Sequence, residues 1–403
     1  VLYYPDKTFY HHVYHQVSQG ADQHKDVRWG MGRARIFDVA AAAGVSVTTV
    51  SLVLNNAESR ISEDTRQRVR DAADAVGYSA SAVARGLRTQ RTRIVGLISD
   101  QIATTPFAGR MLAGAQDAAR ENAHMVMLVD TGGDPELEVE AVRAMTAQQV
   151  DAVLYAAMWH RAATAPAGLP AGTVMLDCYP AAGGFRSVVP DDRSGGEAAV
   201  RELLAAGHTR IAYLDTSDPE PVASRLRHEG YLAALAEAGI EADPALHVRG
   251  DTSAQGGREA ADRLLDLPED RRPTAIFCFN DRMAIGVYTA AHRRGLDIPR
   301  DLSVVGYDDQ QLVAAELDPP LTTIALPHYE MGRWAMEVAL GVRAEGEEDA
   351  AHRMECPVIR RDSVGPPPAH VAKQDRRRAS RTTEGPRSAA PDQVTDVGVG
   401  HQE

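Results

Sequence analysis

The chain has 403 residues, 44% of them apolar, which is enough for two or three domains with cores of their own. Its 43 Lys and Arg against 56 Asp and Glu leave a formal charge of −13, and this excludes a protein that coats nucleic acid non-specifically. Three widely spaced cysteines, Cys178, Cys278 and Cys356, exclude a disulfide framework and a zinc cluster, and no run of 18 apolar residues is present to span a membrane. The cysteines read as reduced core thiols of a cytoplasmic protein, and no signal-peptide pattern is present. Residues 1–32 are polar, carry four His without ligand spacing, and read as a disordered extension. Met31, just ahead of the first apolar stripe, is the expected native start.

From Ile36 to Asn55 the chain carries its most informative run. Phe37, Val39 and Ala40 form an apolar stripe at one-turn spacing, which predicts a short helix. Gly44 supplies a tight turn. Ser46 is a good N-cap for a second helix, Val47 to Leu54, with Val50, Val53 and Leu54 facing inward. Two short helices about a Gly turn are the helix-turn-helix pattern. Val47, Thr48, Thr49 and Ser51 are then small groups able to approach base edges and phosphates in a major groove. Ser62 caps a third helix, with Glu63 and Asp64 in its first turn, Val69, Ala72, Ala73 and Val76 on its buried face, and Gly77 at its end. Tyr78 to Leu87 is a weak helix former, because Gly86 is internal and Ser79 and Ser81 compete for backbone bonds. It reads as a segment that folds when docked. Between Arg33 and Arg93 ten Arg outweigh six acids, a local charge of +4, and Arg85, Arg88, Arg91 and Arg93 can reach phosphates.

Beyond Arg93, β-branched runs alternate with helical segments. Strands are predicted at 94–99, 125–129, 152–156, 174–176, 211–214, 275–279 and 303–307, and helices at 110–122, 197–206, 229–238 and 258–265. This predicts an α/β core of two doubly wound parallel-sheet subdomains behind an all-α head. The strands end on polar residues: Asp100, Asp130, Asp177, Asp215, Asn280-Asp281 and Asp308-Asp309. In open α/β sheets ligands bind beyond those ends, and converging carboxylates suit a polyhydroxylated ligand. Residues 367–403, with the basic run Arg376-Arg377-Arg378, cannot bury a core.

With these segments in hand, the chain resembles the lactose-repressor (LacI) family of bacterial transcription regulators from about Arg35 to Ser363. The helix-turn-helix run carries the likeness, with Ala84-Arg85-x-Leu87, Asp191-Asp192-x-x-Gly195-Gly196 and Arg225-Leu226-Arg227-x-x-Gly230-Tyr231. The late segment Ser303 to Asp309, followed by Pro320 to Ile324, completes it. The resemblance implies a helix-turn-helix domain at 33–78, a hinge at 79–92 and an effector-binding core at 93–366. Within that core it implies one subdomain at about 93–190 and 327–354, of periplasmic-binding-protein type like its companion at about 191–326 and 355–366. It places DNA contacts on Ser46, Val47, Thr48, Thr49, Ser51, Leu52, Asn55, Ser62, Ala84, Leu87 and Arg88, with Leu87 as a minor-groove wedge. It places effector contacts on Asp100, Asp177, Arg227, Asn280 and Asp308, with Phe107 at the pocket edge. Thr252 stands where many members carry a stacking aromatic, and Trp159 is the candidate substitute. Leu52 stands where members often read a base with a polar side chain, and Ala80-Ser81 where a Pro-Asn pair is common, so no operator sequence carries over.

The expected protein is a homodimeric repressor of carbohydrate-metabolism genes that binds palindromic operator DNA under control of a sugar-like effector. It needs no cofactor, metal, membrane or catalytic residue. A hydrolase or phosphotransferase using the strand-end aspartates with Mg²⁺ is the alternative, but neither G-x-x-x-x-G-K-[ST] nor G-x-S-x-G is present. A transported-solute receptor is a second alternative, and it requires an export signal.

Overall fold

The computed structural model describes residues 34–54, 60–78, 91–102, 109–218, 222–343 and 351–369. The chain divides into two compact units, Val1–Thr92 and Arg93–Glu403.

In the first unit, α1 (Ile36–Ala43), α2 (Val47–Leu54) and α3 (Glu63–Ala75) close around Val39, Val50, Val53 and Val69. Gly44 ends α1 in the left-handed region, at φ 64°, and the chain turns 102° into α2. A turn of about this angle is what a helix-turn-helix requires. Ser62 caps α3 by accepting from the Thr65 amide at 3.4 Å. One expectation fails. Phe37 lies outside the apolar stripe and is 68% exposed, because α1 buries Val39, Ala40 and Ala43 instead. The stripe therefore runs through the small residues, and the aromatic faces outward.

The second unit opens with β1 (Ile94–Ser99), α4 (Gly109–Glu121), β2 (Met125–Asp130), α5 (Pro135–Ala147), β3 (Ala152–Ala163), β4 (Val174–Pro180) and β5 (Arg186–Pro190). It continues through α6 (Asp192–Ala205), β6 (Ile211–Thr216), α7 (Val222–Glu237), β7 (His247–Gly250), α8 (Ala254–Leu265), β8 (Ala275–Cys278) and α9 (Asp281–Arg293). It ends with β9 (Ser303–Asp308), β10 (Thr322–Ala325), α10 (His328–Ala339), β11 (Ala351–Met354) and β12 (Val358–Ile359). Two six-stranded sheets result, in the orders β11-β5-β4-β3-β1-β2 and β12-β10-β9-β8-β6-β7. All pairings are parallel except β10 with β12. The expected fold class is thus present: an all-α head and an α/β core of two doubly wound sheets. The chain crosses between the sheets three times, at 190–192, 325–328 and 354–358.

Both faces of each sheet are covered, as parallel strands require. Leu97 and its neighbour Ile98 enter opposite layers of the first sheet, and Tyr213 and Leu214 do the same in the second. The helices pack backbone to backbone through paired glycines. A β-carbon at Gly230 of α7 would collide with the Arg193 carbonyl of α6, and one at Gly196 with the Arg227 backbone. Gly114 and Gly332 close α4 on α10 in the same way, and Gly257 and Gly286 close α8 on α9.

β3 is longer than the predicted 152–156. It continues through Met158-Trp159-His160-Arg161, with a register shift against β4 between Ala156 and Arg161. β5, β7, β10, β11 and β12 lie outside the predicted strands, and α6 and α7 begin five and seven residues earlier than predicted.

Candidate functional site

The head presents its candidate contacts on the first turns of α2. Ser46 Oγ accepts from the Thr49 amide at 3.1 Å and lies 2.9 Å from Thr49 Oγ1, so both side chains are tied to the start of the helix. Thr48 is exposed between them, whereas Thr49, Ser51 and Leu52 are half-buried. Val47 packs partly on the core of the head, so its surface for a groove is smaller than the sequence implies. Exposed Ser62 sits at the start of α3. Asn55, Ala84, Leu87 and Arg88 lie outside the described residues, as does Phe107.

The core gathers polar side chains at the carboxyl ends of both sheets. From the first sheet, Asp100 follows β1 and accepts from Arg161 at 3.0 Å. Asp177 sits within β4 at φ 56°, a left-handed conformation that a non-glycine residue rarely adopts. The Asp177 side chain is buried; its Oδ1 meets no hydrogen-bond partner among the described residues, and its Oδ2 stands 3.8 Å from His328 Nε2. Burial pushes its carboxyl above the usual range, and His328 only partly opposes this.

From the second sheet, Asp308 ends β9 at φ 105°. Gln310 donates to its Oδ2 at 2.8 Å, and its Oδ1 lies 3.9 Å from Arg227. Burial raises this carboxyl too, against the pull of Arg227. Each sheet therefore contributes one largely enclosed carboxyl, and that of Asp177 has an oxygen without a partner among the described residues. A cavity of about 480 Å³ opens beside Asp308 and His328, lined also by Arg110, Gln310, Leu326 and Met354. Of the predicted effector contacts among the described residues, Asp308 alone lines it.

Arg227 is engaged within the protein. Its Nε donates to Asp192 at 2.7 Å and its NH1 to the Phe279 carbonyl at 2.6 Å. The guanidinium lies 3.5 Å from the Tyr307 ring centre and 4.6 Å from that of Phe279. Burial alone pushes its pKa down, but Asp192, Tyr307, Asp308 and Tyr213 together more than reverse this. Asn280 is likewise committed: it caps α9 by accepting from the Met283 amide at 2.8 Å and donates to the Thr252 carbonyl at 3.3 Å. Trp159 is 41% exposed on the outer part of β3.

The strand-end carboxylates do not all converge. Asp215 turns inward and is fully buried, where it accepts from Ser224 at 2.9 Å and from the Thr216 amide at 2.8 Å. Asp281 accepts from Thr323 and from the Gln310 amide, and Asp309 pairs with Arg361 at 2.7 Å. Asp130 accepts from the Gly132 amide in a turn. His160, Arg161 and His328 join the site without a sequence signal, since each is a single side chain with no motif around it. Asp192 is part of the quoted Asp191-Asp192 motif, but spacing alone does not show that it faces Arg227. No group of three or more His, Cys, Asp or Glu side chains among the described residues is arranged to hold a metal ion. No single helix among them is long and apolar enough to cross a membrane.

Comparison with known proteins matches this layout. Residues 35–81 match the family of bacterial regulatory proteins, lacI family, and residues 200–364 match the periplasmic binding protein-like domain. An HTH-type transcriptional repressor of Vibrio atlanticus, PurR, is 33% identical over 341 residues, covering 82% of this chain and 98% of its own. The ribose operon repressor of Escherichia coli is 34% identical over 316 residues, covering 76% of this chain and 92% of its own. The crystal structure of the lac repressor dimer bound to operator and the anti-inducer ONPF aligns at 26% identity with a TM-score of 0.66. That alignment covers 83% of this chain and 99% of that one.

Proposed function

The chain belongs to the lacI family of bacterial regulatory proteins and is a DNA-binding transcriptional regulator, and we propose that it is a repressor whose operator binding is set by a carbohydrate held at the carboxyl ends of its two core sheets. The observation that carries the effector reading is the pair Asp177 and Asp308. Each sheet brings one largely enclosed carboxyl, and Asp177 Oδ1 has no donor among the described residues. A buried acceptor left unmade is costly, so a ligand that brings hydroxyl donors is favoured there. Two of the relatives, by name, concern the ribose operon and the lac system, which supports the sugar reading.

The remaining assignments follow as one scheme. Two copies pair as a homodimer and place two heads on a palindrome, since a two-fold protein needs two-fold DNA. Thr48 and its neighbours on α2 read bases, Arg88 and Arg91 hold phosphates, and Leu87 wedges into the minor groove. Ligand shifts the population of DNA-competent dimers. On this reading the protein is a switch without catalysis, working in the cytoplasm where the chromosome lies.

A panel of neutral sugars tested for thermal stabilisation identifies the effector. A ligand of the folded form adds about 2.7 kcal/mol at a hundredfold excess over its Kd. Asp308→Asn is expected to remove about 2 kcal/mol of that ligand's binding and to leave ligand-free operator binding in place. A panel without a hit, or a normal response from Asp308→Asn, counts against the carbohydrate site. For the head, Thr48→Ala is expected to change the preferred operator bases. Arg88→Ala is expected to weaken all sequences alike and to lower the salt slope by about one. An altered base preference in Arg88→Ala at an unchanged slope contradicts that division.

A further inference from the structure

One side-chain bond runs from the first sheet to the helix that opens the second lobe, beside a crossover. The outer part of β3 carries His160, within the register shift, to α6, where His160 Nδ1 lies 2.8 Å from Asp192 Oδ2. Both groups are buried, at 6% and 0% exposure. Asp192 is the first residue of α6 and follows β5 by two residues, so it stands where the chain has just left the first sheet. Burial pushes the Asp192 carboxyl up, but Arg227 and His160 together hold it below the ordinary range. It is therefore ionised and accepts only, so the proton of this bond sits on His160 Nδ1. The other Asp192 oxygen accepts from Arg227 Nε at 2.7 Å, and Arg227 stands 3.9 Å from Asp308. The His160 ring also meets Tyr179 edge-on, with centroids 5.8 Å apart. His160, Asp192, Arg227 and Asp308 thus form a continuous polar chain from one sheet to the strand end of the other.

We propose that His160 is a positioning residue and a latch: through Asp192 it fixes Arg227 beside Asp308, and the two lobes part only when the His160–Asp192 bond breaks. The inference rests on the two-lobed effector-site reading for its consequence, which is that His160 sets how readily the lobes open and so how strongly the regulator responds. A hydrogen bond to an ionised group is among the stronger ones, and its loss moves an opening equilibrium by about tenfold or more.

The protein contains its own reporter. Cys356 lies on the third crossover, 4% exposed, and a β-carbon at Gly195 would approach its Cβ at 3.2 Å. Cys356 packs into the second-lobe core with Tyr307 and Ile324, and burial pushes its thiol up, so on this proposal it reacts only when opening shifts the crossover that carries it. Cys178 and Cys278, each 0% exposed within a sheet, report unfolding instead. The full-length protein, without ligand, is treated with iodoacetamide, and the labelling rate of each cysteine is read by peptide mass spectrometry. His160→Phe keeps the ring beside Tyr179 and removes the donor. It is expected to label Cys356 about tenfold faster or more, with Cys178 and Cys278 unchanged. His160→Asn returns an N–H donor close to the place of Nδ1 and is expected to restore slow labelling. A wild-type rate in His160→Phe, or a rate in His160→Asn as fast as in His160→Phe, overturns the latch. If His160→Phe exposes all three thiols together by unfolding, the His160→Asn rate still decides. No sugar enters the measurement, so a blank sugar panel defeats the carbohydrate reading and leaves this result standing.

Discussion

Arg227→Ala is expected to destabilise the core by about 3–5 kcal/mol, because it strands a buried charge rather than removing a contact. Asp192 is fully buried and holds its charge with Arg227 at 2.7 Å and His160 at 2.8 Å. Without the guanidinium it keeps one donor in a site closed to water. The Phe279 carbonyl loses its 2.6 Å donor at the same time, and the Tyr307 and Phe279 rings lose the cation between them. The double change Asp192→Asn with Arg227→Met separates the causes. It keeps an acceptor for His160, removes the orphan charge and fills most of the space, so most of the loss is expected to return. Urea unfolding of the full-length protein, followed through the core transition, reads both. A loss below about 1 kcal/mol, or a double variant no better than the single one, shows that the pair is not what holds this region.

The second large effect runs against helix propensity. Inside an exposed helix, Ala is better than Gly by about 0.8–1.0 kcal/mol. Gly230→Ala, in the middle of α7, is expected instead to cost about 3 kcal/mol, the upper part of the range for overpacking. The new methyl meets the Arg193 carbonyl and the Glu197 amide, both backbone atoms that no rotamer change can move aside. Either α7 lifts from α6 or the side chains between them lose contact. Gly109→Ala is the control, since a β-carbon there meets nothing within 4 Å among the described residues. Equal thermal midpoints for the two variants remove close helix contact as the reason for Gly230.

What could be read in the sequence follows from how each element earns its stability. β1 is a dense apolar run buried on both faces, and its predicted bounds, 94–99, are those observed. β7, His-Val-Arg-Gly, is short and partly exposed at a sheet edge, so it shows neither a run nor a clean alternation. The outer part of β3 is strand because β4 lies beside it, not because Met158-Trp159-His160-Arg161 favours one. The starts of α6 and α7 escape notice because the first carries Gly195-Gly196 and the second, Val222-Ala223-Ser224-Arg225, shows no sustained apolar stripe, and packing overrides propensity there. In the site, residue type at a strand end is visible but direction is not. Asp177 and Asp308 sit in unusual backbone conformations, while Asp215 points into the interior against Ser224. Nothing in an aspartate after a β-branched run tells these apart. Phe37 carries the same lesson, since spacing alone does not decide which of two neighbouring stripes a short helix buries.

The glycine-paired helices give each lobe a mechanical character. Where backbone rests on backbone there is no layer of side chains to act as a cushion, and a displacement is passed on rather than absorbed. Each lobe is therefore a stiff plate, and compliance is concentrated in the three crossovers at 190–192, 325–328 and 354–358. Such a body has few soft coordinates, and a small ligand that biases one of them biases the whole core.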